Sequence, residues 1–117
     1  MTALFGIKNC DTVRKARHWL EEHDIDFNFH DVRDDGLTQE QVATWIDALG
    51  WEVVLNKRST SWKKIDPARR ENLDADSVNA LLLELPTLIK RPVLEIDGAV
   101  YVGFKADAYD NIFATGK

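Results

Sequence analysis

The feature that most constrains this chain lies in its first 32 residues, where a strand, an amphipathic helix and a second strand follow one another. Ala3-Leu4-Phe5-Gly6-Ile7 reads as the strand, and Lys8-Asn9-Cys10-Asp11 as a polar break. From about Thr12 to His23 a helix is predicted, because Val13, Ala16, Trp19, Leu20 and His23 recur on one side. Asp11 suits the N-cap of that helix, with Asn9 and Cys10 competing for the role. Phe27 to Val32 reads as the second strand. A strand, helix and strand of about thirty residues make a parallel pair joined by a right-handed crossover.

The rest of the chain is read onto that unit. Thr38-Gln39-Glu40-Gln41 is a capping-box pattern opening a helix that runs to Leu49, with Gly50 as its stop. A further helix is expected from about Asp76 to Leu85, ended by Pro86; the short elements between these two helices are not placed. Pro92-Val93-Leu94-Glu95-Ile96 and Ala99-Val100-Tyr101-Val102 read as strands joined by Asp97-Gly98, a type I′ hairpin signal. A last helix follows, with Ala106, Tyr109, Ile112 and Phe113 on its buried side. The expectation is an α/β protein: a thioredoxin-like, four-stranded mixed sheet with a helical insertion before the C-terminal hairpin, as a single domain over residues 1–117.

Composition limits the function classes. At 117 residues, 44% hydrophobic and 30% charged, the chain can bury one core without disulfides or metals. No run approaches the roughly 18 apolar residues of a membrane span, and the opening residues do not read as a signal peptide. With one cysteine, no internal disulfide can form, so a cytoplasmic protein is expected; the expected state is a monomer. The net charge of −5 is uneven: Lys57 to Arg70 holds six cations against Asp66 alone, a local +5. The acidic balance argues against nucleic-acid binding, and the basic stretch suits a small anion, an acidic partner or a solvated face.

Cys10 is the candidate for chemistry. A lone cysteine is often a buried apolar residue, but Cys10 has polar neighbours and stands between a strand and the start of a helix. A thiol there faces the unpaired N–H groups of the first turn, which stabilise a thiolate. Activation of that kind is limited. Lowering a thiol's pKa from about 8.5 to about 7 raises its rate of attack at pH 7 only about threefold, so positioning must supply more. Arg58, Arg91 and Arg14 are candidate anion ligands, since arginine forks grip carboxylates and oxyanions. Arg14 also suits an ordinary surface ion pair, whereas Arg91 precedes Pro92 in a restricted Arg-Pro step whose isomer stays open. His18, His23 and His30 have no zinc-ligand spacing, and no metal is expected. Trp19, Trp45, Trp51 and Trp62 read as packing residues.

These residues resemble the ArsC family of thioredoxin-fold arsenate reductases, which also contains the Spx regulators. The anchors are Gly6-Ile7-Lys8-Asn9-Cys10-Asp11-Thr12, Asn56-Lys57-Arg58, Ile89-Lys90-Arg91-Pro92 and Val102-Gly103-Phe104. The likeness is strongest to the YffB-like branch, which implies a glutathione-dependent thiol reductase. It makes Cys10 the nucleophile and Arg91 one anion-holding arginine, with Arg58, or Asn56 in a gapless alignment, at the place of another; Asn9, Thr12 and Arg14 remain candidates from their places beside Cys10. It also makes the backbone at Pro92 a strand-like partner for a bound peptide. Glutathione is the implied co-substrate, glutaredoxin a further partner, and no tightly bound cofactor is implied. Two departures matter. The family's third arginine falls on Phe104, which argues against arsenate as substrate. Cys10-Asp11-Thr12-Val13 also lacks the second cysteine that Spx proteins usually carry, which argues against a redox-sensing regulator.

Overall fold

The computed structural model describes residues 2–114. The chain forms two compact units: one from the N-terminal residues up to Asp31 together with those from Arg91 onward, the other from Val32 to Lys90. Among the described residues no helix is long and apolar enough to cross a membrane.

The first unit is the sheet. Its strands are β1 (Thr2–Gly6), β2 (Asn28–Asp31), β3 (Val93–Ile96) and β4 (Ala99–Val102), in the order β2-β1-β3-β4. β1 pairs parallel with β2 and antiparallel with β3, so the expected mixed sheet is present with the expected parallel crossover. β1 has neighbours on both sides, and Leu4, Phe5 and Gly6 are all buried, as befits a central strand. The hairpin closes with Ile96 opposite Ala99, and both turn residues take positive φ, Asp97 at 47° and Gly98 at 92°. A type I′ turn requires that pair of angles.

Helix α1 (Asp11–Glu22) and the C-terminal helix (Ala106–Ala114) supply the remaining core. Leu4, Ala16, Trp19, Leu20, Leu94 and Tyr109 form one apolar cluster. Full burial of a Leu-sized side chain is worth about 1.5–3 kcal/mol, so this stripe, rather than helix propensity, holds α1 to the sheet. Trp19 anchors it: its ring meets Tyr109 edge-on at 5.4 Å and stacks on His23 at 3.8 Å. One expectation, for Ala106, is corrected here, while His23 keeps the side of the helix expected of it, stacked on Trp19. His23 lies at an exposed position and makes its contacts along the helix surface, with Nδ1 2.8 Å from the Trp19 carbonyl. Ala106 is exposed, because the last helix begins there and turns its apolar stripe inward only from Tyr109.

The second unit is the helical insertion. It contains α2 (Gln39–Leu49), α3 (Trp51–Val54), α4 (Thr60–Lys63) and α5 (Ala75–Glu84), with 3₁₀ turns at Pro67–Arg70 and Pro86–Leu88. The expected capping box is formed: the Gln41 N–H donates to Thr38 Oγ1 at 3.1 Å and the Thr38 N–H to Gln41 Oε1 at 3.0 Å. Gly50 ends α2 at φ 90°. α5 opens on a second capping box, Asp74 with Ser77, and the Ser77 N–H holds the Asp74 carboxyl below the usual carboxylate range. α2 packs on α5, where Asn79 Nδ2 donates to the Gln39 carbonyl at 3.2 Å.

Two substitutions test this packing. A Cβ on Gly6 would lie 2.7 and 2.9 Å from the Val13 methyls, so Gly6→Ala is expected to destabilise by about 1–3 kcal/mol in urea unfolding. Adding Val13→Ala should recover part of that loss. The Tyr109 hydroxyl is buried with no hydrogen-bond partner among the described residues, and desolvation pushes its ionisation upward. Tyr109→Phe removes an unsatisfied polar group and should be neutral or stabilising by about 1 kcal/mol, whereas a loss above that would show the hydroxyl to be bonded.

Candidate active site

The sheet register delivers four segments to one end. Gly6 at the end of β1 faces Asp31 at the end of β2. On the other side Phe5 faces Val93, and Val93 faces Val102. The turn after β1, the end of β2, the Arg91–Pro92 step entering β3 and the Gly103–Phe104 segment leaving β4 therefore share the same end of the sheet.

Cys10 lies in the first of these. Its N–H donates to the Ile7 carbonyl at 3.1 Å, closing the turn, and its carbonyl accepts the Arg14 N–H at 2.9 Å, starting the helix. Cys10 itself is the N-cap residue of α1, in extended conformation, with no side-chain capping bond. The cap thus falls on Cys10, while Asp11 becomes the first helical residue. The Asp11 carboxylate accepts from Arg14 across one turn, so Arg14 takes the surface ion pair open to it, with the Arg14 side chain 60% exposed. The thiol is free and half-buried. Asn9 and Thr12 flank it at exposed positions. Lys8 ties the turn to the neighbouring strand, its N–H donating to Asp31 Oδ2 at 3.1 Å.

Arg91 and Pro92 meet the sheet beside this turn. The Arg91–Pro92 bond is cis. Arg91 is half-buried with its Nε enclosed, and Pro92 is buried. Pro92 has no N–H, and its carbonyl already accepts the Gly103 N–H at 2.9 Å. Phe104 follows Gly103 and packs edge-on against Tyr109 at 4.7 Å, inside the aromatic cluster. The position of the family's third arginine is therefore a packing position in this chain.

Arg58 belongs to the second unit. It is exposed, and its N–H donates to Asn56 Oδ1 at 3.0 Å. The Asn56 N–H in turn donates to the Leu88 carbonyl at 2.7 Å, and the Lys90 N–H to the Val54 carbonyl at 2.8 Å. The Asn56-Lys57-Arg58 segment is thus pinned to the strand-like stretch at Ile89. Lys57 Nζ lies 5.8 Å from the rings of both Trp51 and Trp62. Among the described residues no group of His, Cys, Asp or Glu is placed to hold a metal ion. Sequence reasoning did not single out Asp31, whose burial reverses the usual behaviour of a carboxylate at a strand end.

The ArsC family model matches residues 5–112, and the chain belongs to that family. A solved YffB protein is 44% identical with a TM-score of 0.92, covering 95% of this chain and 97% of its own. An arsenate reductase (ArsC) related protein from Brucella melitensis is 45% identical with a TM-score of 0.76, over 96% of this chain and 93% of its own. The global transcriptional regulator Spx of Streptococcus pyogenes is 28% identical over 92% of this chain and 81% of its own length. The fold is the arsenate-reductase-like form of the thioredoxin fold, in its YffB-like branch.

Proposed function

We propose that the protein is a thiol-based oxidoreductase of the cytoplasm that uses glutathione as co-substrate. The observation that carries this reading is the placement of Cys10: a free thiol that is itself the N-cap of a twelve-residue helix, at the sheet end where Arg91 and Pro92 also emerge. The first-turn N–H groups of a helix have no partner within it, and the helix dipole favours negative charge at that end.

The reaction balances with external thiols alone. The Cys10 thiolate attacks the glutathionyl sulfur of a substrate disulfide, forming Cys10–S–S–glutathione and releasing the substrate thiolate. A glutathione thiolate then attacks the Cys10 mixed disulfide at the glutathionyl sulfur, releasing oxidised glutathione and regenerating Cys10. Substrate is reduced by two electrons, and two glutathionyl groups leave as the disulfide. Good leaving-group behaviour at Cys10 speeds the second step. Arg91 is assigned to a glutathione carboxylate. Backbone pairing with the bound peptide uses Arg91 or the second lone pair of the Pro92 carbonyl, since the first accepts Gly103. Arg58 is assigned to an anion from its own unit, and glutaredoxin is an alternative source of the resolving thiol.

Arsenate is disfavoured as substrate. A thiolate attacking an oxyanion brings like charges together, and losing one donor from such a site typically costs on the order of 10²–10³ in rate. Phe104 supplies none, and its ring is committed to the Tyr109 contact. The Spx-like reading, in which Cys10 senses oxidation for a protein partner, is supported by the 28% match to Spx and is opposed by the missing second cysteine.

Mass spectrometry after treatment with oxidised glutathione should show one glutathionyl adduct on wild type and none on Cys10→Ser. Arg91→Ala should weaken glutathione binding about tenfold or more in NMR titrations, the equivalent of a charge-assisted hydrogen bond of about 1.5–3 kcal/mol. Unchanged affinity in Arg91→Ala would remove that arginine from the site. Absence of the adduct on wild type, with a stoichiometric protein captured from lysate, would favour the Spx-like reading instead.

A further inference from the structure

We propose that Asp31 is a positioning residue for Cys10: its buried carboxylate, by accepting the Lys8 N–H, fixes the turn from which Cys10 caps α1. The proposal rests on the thiol-reductase reading and adds to it the group that sets the geometry of the nucleophile.

Three hydrogen bonds help to shape the turn between β1 and α1. Two are backbone to backbone: Cys10 N–H to Ile7 carbonyl and Arg14 N–H to Cys10 carbonyl. The third, Lys8 N–H to Asp31 Oδ2, joins the turn to a different strand, 23 residues away in sequence. It comes from the register of the parallel pair. Gly6 is opposite Asp31, so the second residue past the end of β1 swings across the end of β2 and finds the carboxylate. The first two bonds shape the turn locally, and the third fixes where the turn sits on the sheet.

The choice of a carboxylate is the informative part. Lys8 and Asn9 are exposed residues, whereas the acceptor of the Lys8 N–H is buried. Asp31 is 3% exposed. Burying a carboxylate costs far more than burying a neutral acceptor or leaving the N–H to solvent. The charged acceptor gives the Lys8 N–H a stronger bond than a neutral one would, and the gain falls on the turn that carries the nucleophile. Thiolate activation contributes only about threefold by the general arithmetic of thiol exchange, so most of the rate must come from holding the sulfur in line with the scissile bond. A charge-assisted tie to a rigid strand restrains the turn more tightly than water can.

The test compares wild type with Asp31→Ala and Asp31→Asn in the full chain. The readout is Cys10 alkylation by iodoacetamide at fixed pH, a neutral probe that needs no glutathione, with thermal melting alongside. Asp31→Ala should alkylate about tenfold more slowly while folded. Asp31→Asn keeps an oxygen acceptor without the charge and should alkylate at an intermediate rate, slower than wild type and faster than Asp31→Ala. A merely structural role would lower the melting temperature of Asp31→Ala and leave alkylation of the folded protein unchanged, and that result overturns the proposal. So does an Asp31→Asn rate as low as that of Asp31→Ala. If Asp31→Ala does not fold, hydrogen exchange at the Lys8 amide of wild type decides with Asp31→Asn: protection supports the tie, and exchange at the open-chain rate refutes it. Glutathionylation of the same proteins separates the two claims. Slow alkylation in Asp31→Ala with no mixed disulfide on wild type keeps the positioning role and discards the reductase reading, and the opposite pair of results does the reverse.

Discussion

β1 is bonded on both edges, and its two registers place everything else at the candidate site. Parallel pairing sets Gly6 opposite Asp31, and antiparallel pairing sets Phe5 opposite Val93. The first fixes the turn that carries Cys10, and the second brings Arg91 and Pro92 to the same end of the sheet. A slip of one residue in either ladder would turn every side chain of that strand to the opposite face. Gly6 then lets α1 come close, because only a residue without Cβ tolerates the Val13 methyls at that distance. Strand register, close helix approach and cysteine placement are consequences of one another.

Much of this was legible in the residues. The spacing of Val13, Ala16, Trp19 and Leu20 marked α1, and the four are buried. Thr38 and Gln41 marked a capping box that is formed, and Asp97-Gly98 marked the hairpin turn. Strand and helix bounds differ from expectation by a residue or two, since fraying ends carry no pattern of their own. The capping box at Asp74 was not legible because its second member is Ser77 rather than Glu or Gln, the residues that define the sequence signature. Ala106 was misplaced because periodicity reports a helical face and not where along the helix the neighbour begins.

The site was legible in part, and for a different reason. Cys10 stood out through its position between a strand and a helix. Its capping role in preference to Asp11 is a matter of backbone angles, which side-chain preference states only weakly. Arg14 pairs with Asp11, an outcome that spacing of three residues on a helix allows. Asp31 could not be found by pattern, because its burial depends on pairing between segments far apart in sequence. Phe104 was visible as a departure from the family, yet only the packing explains it: its ring completes an aromatic cluster with Tyr109.

The two compact units each enclose a tryptophan. Trp19 is 8% exposed in the sheet unit, stacked on His23, and Trp45 is fully buried in the helical unit. Indole emission is sensitive to polarity and to neighbouring rings, so the chain holds an optical label in each half. Replacing Trp19 by phenylalanine would leave Trp45, Trp51 and Trp62, all in the helical unit, and replacing those three would leave Trp19 alone in the sheet unit, so each variant gives the unfolding curve of one half. Superimposable curves would mean that the halves melt as one cooperative body. Separated curves would mean that the helical insertion can loosen while the sheet that carries Cys10 stays intact, a difference in local stability of the kind that hydrogen exchange resolves into separate cooperative segments.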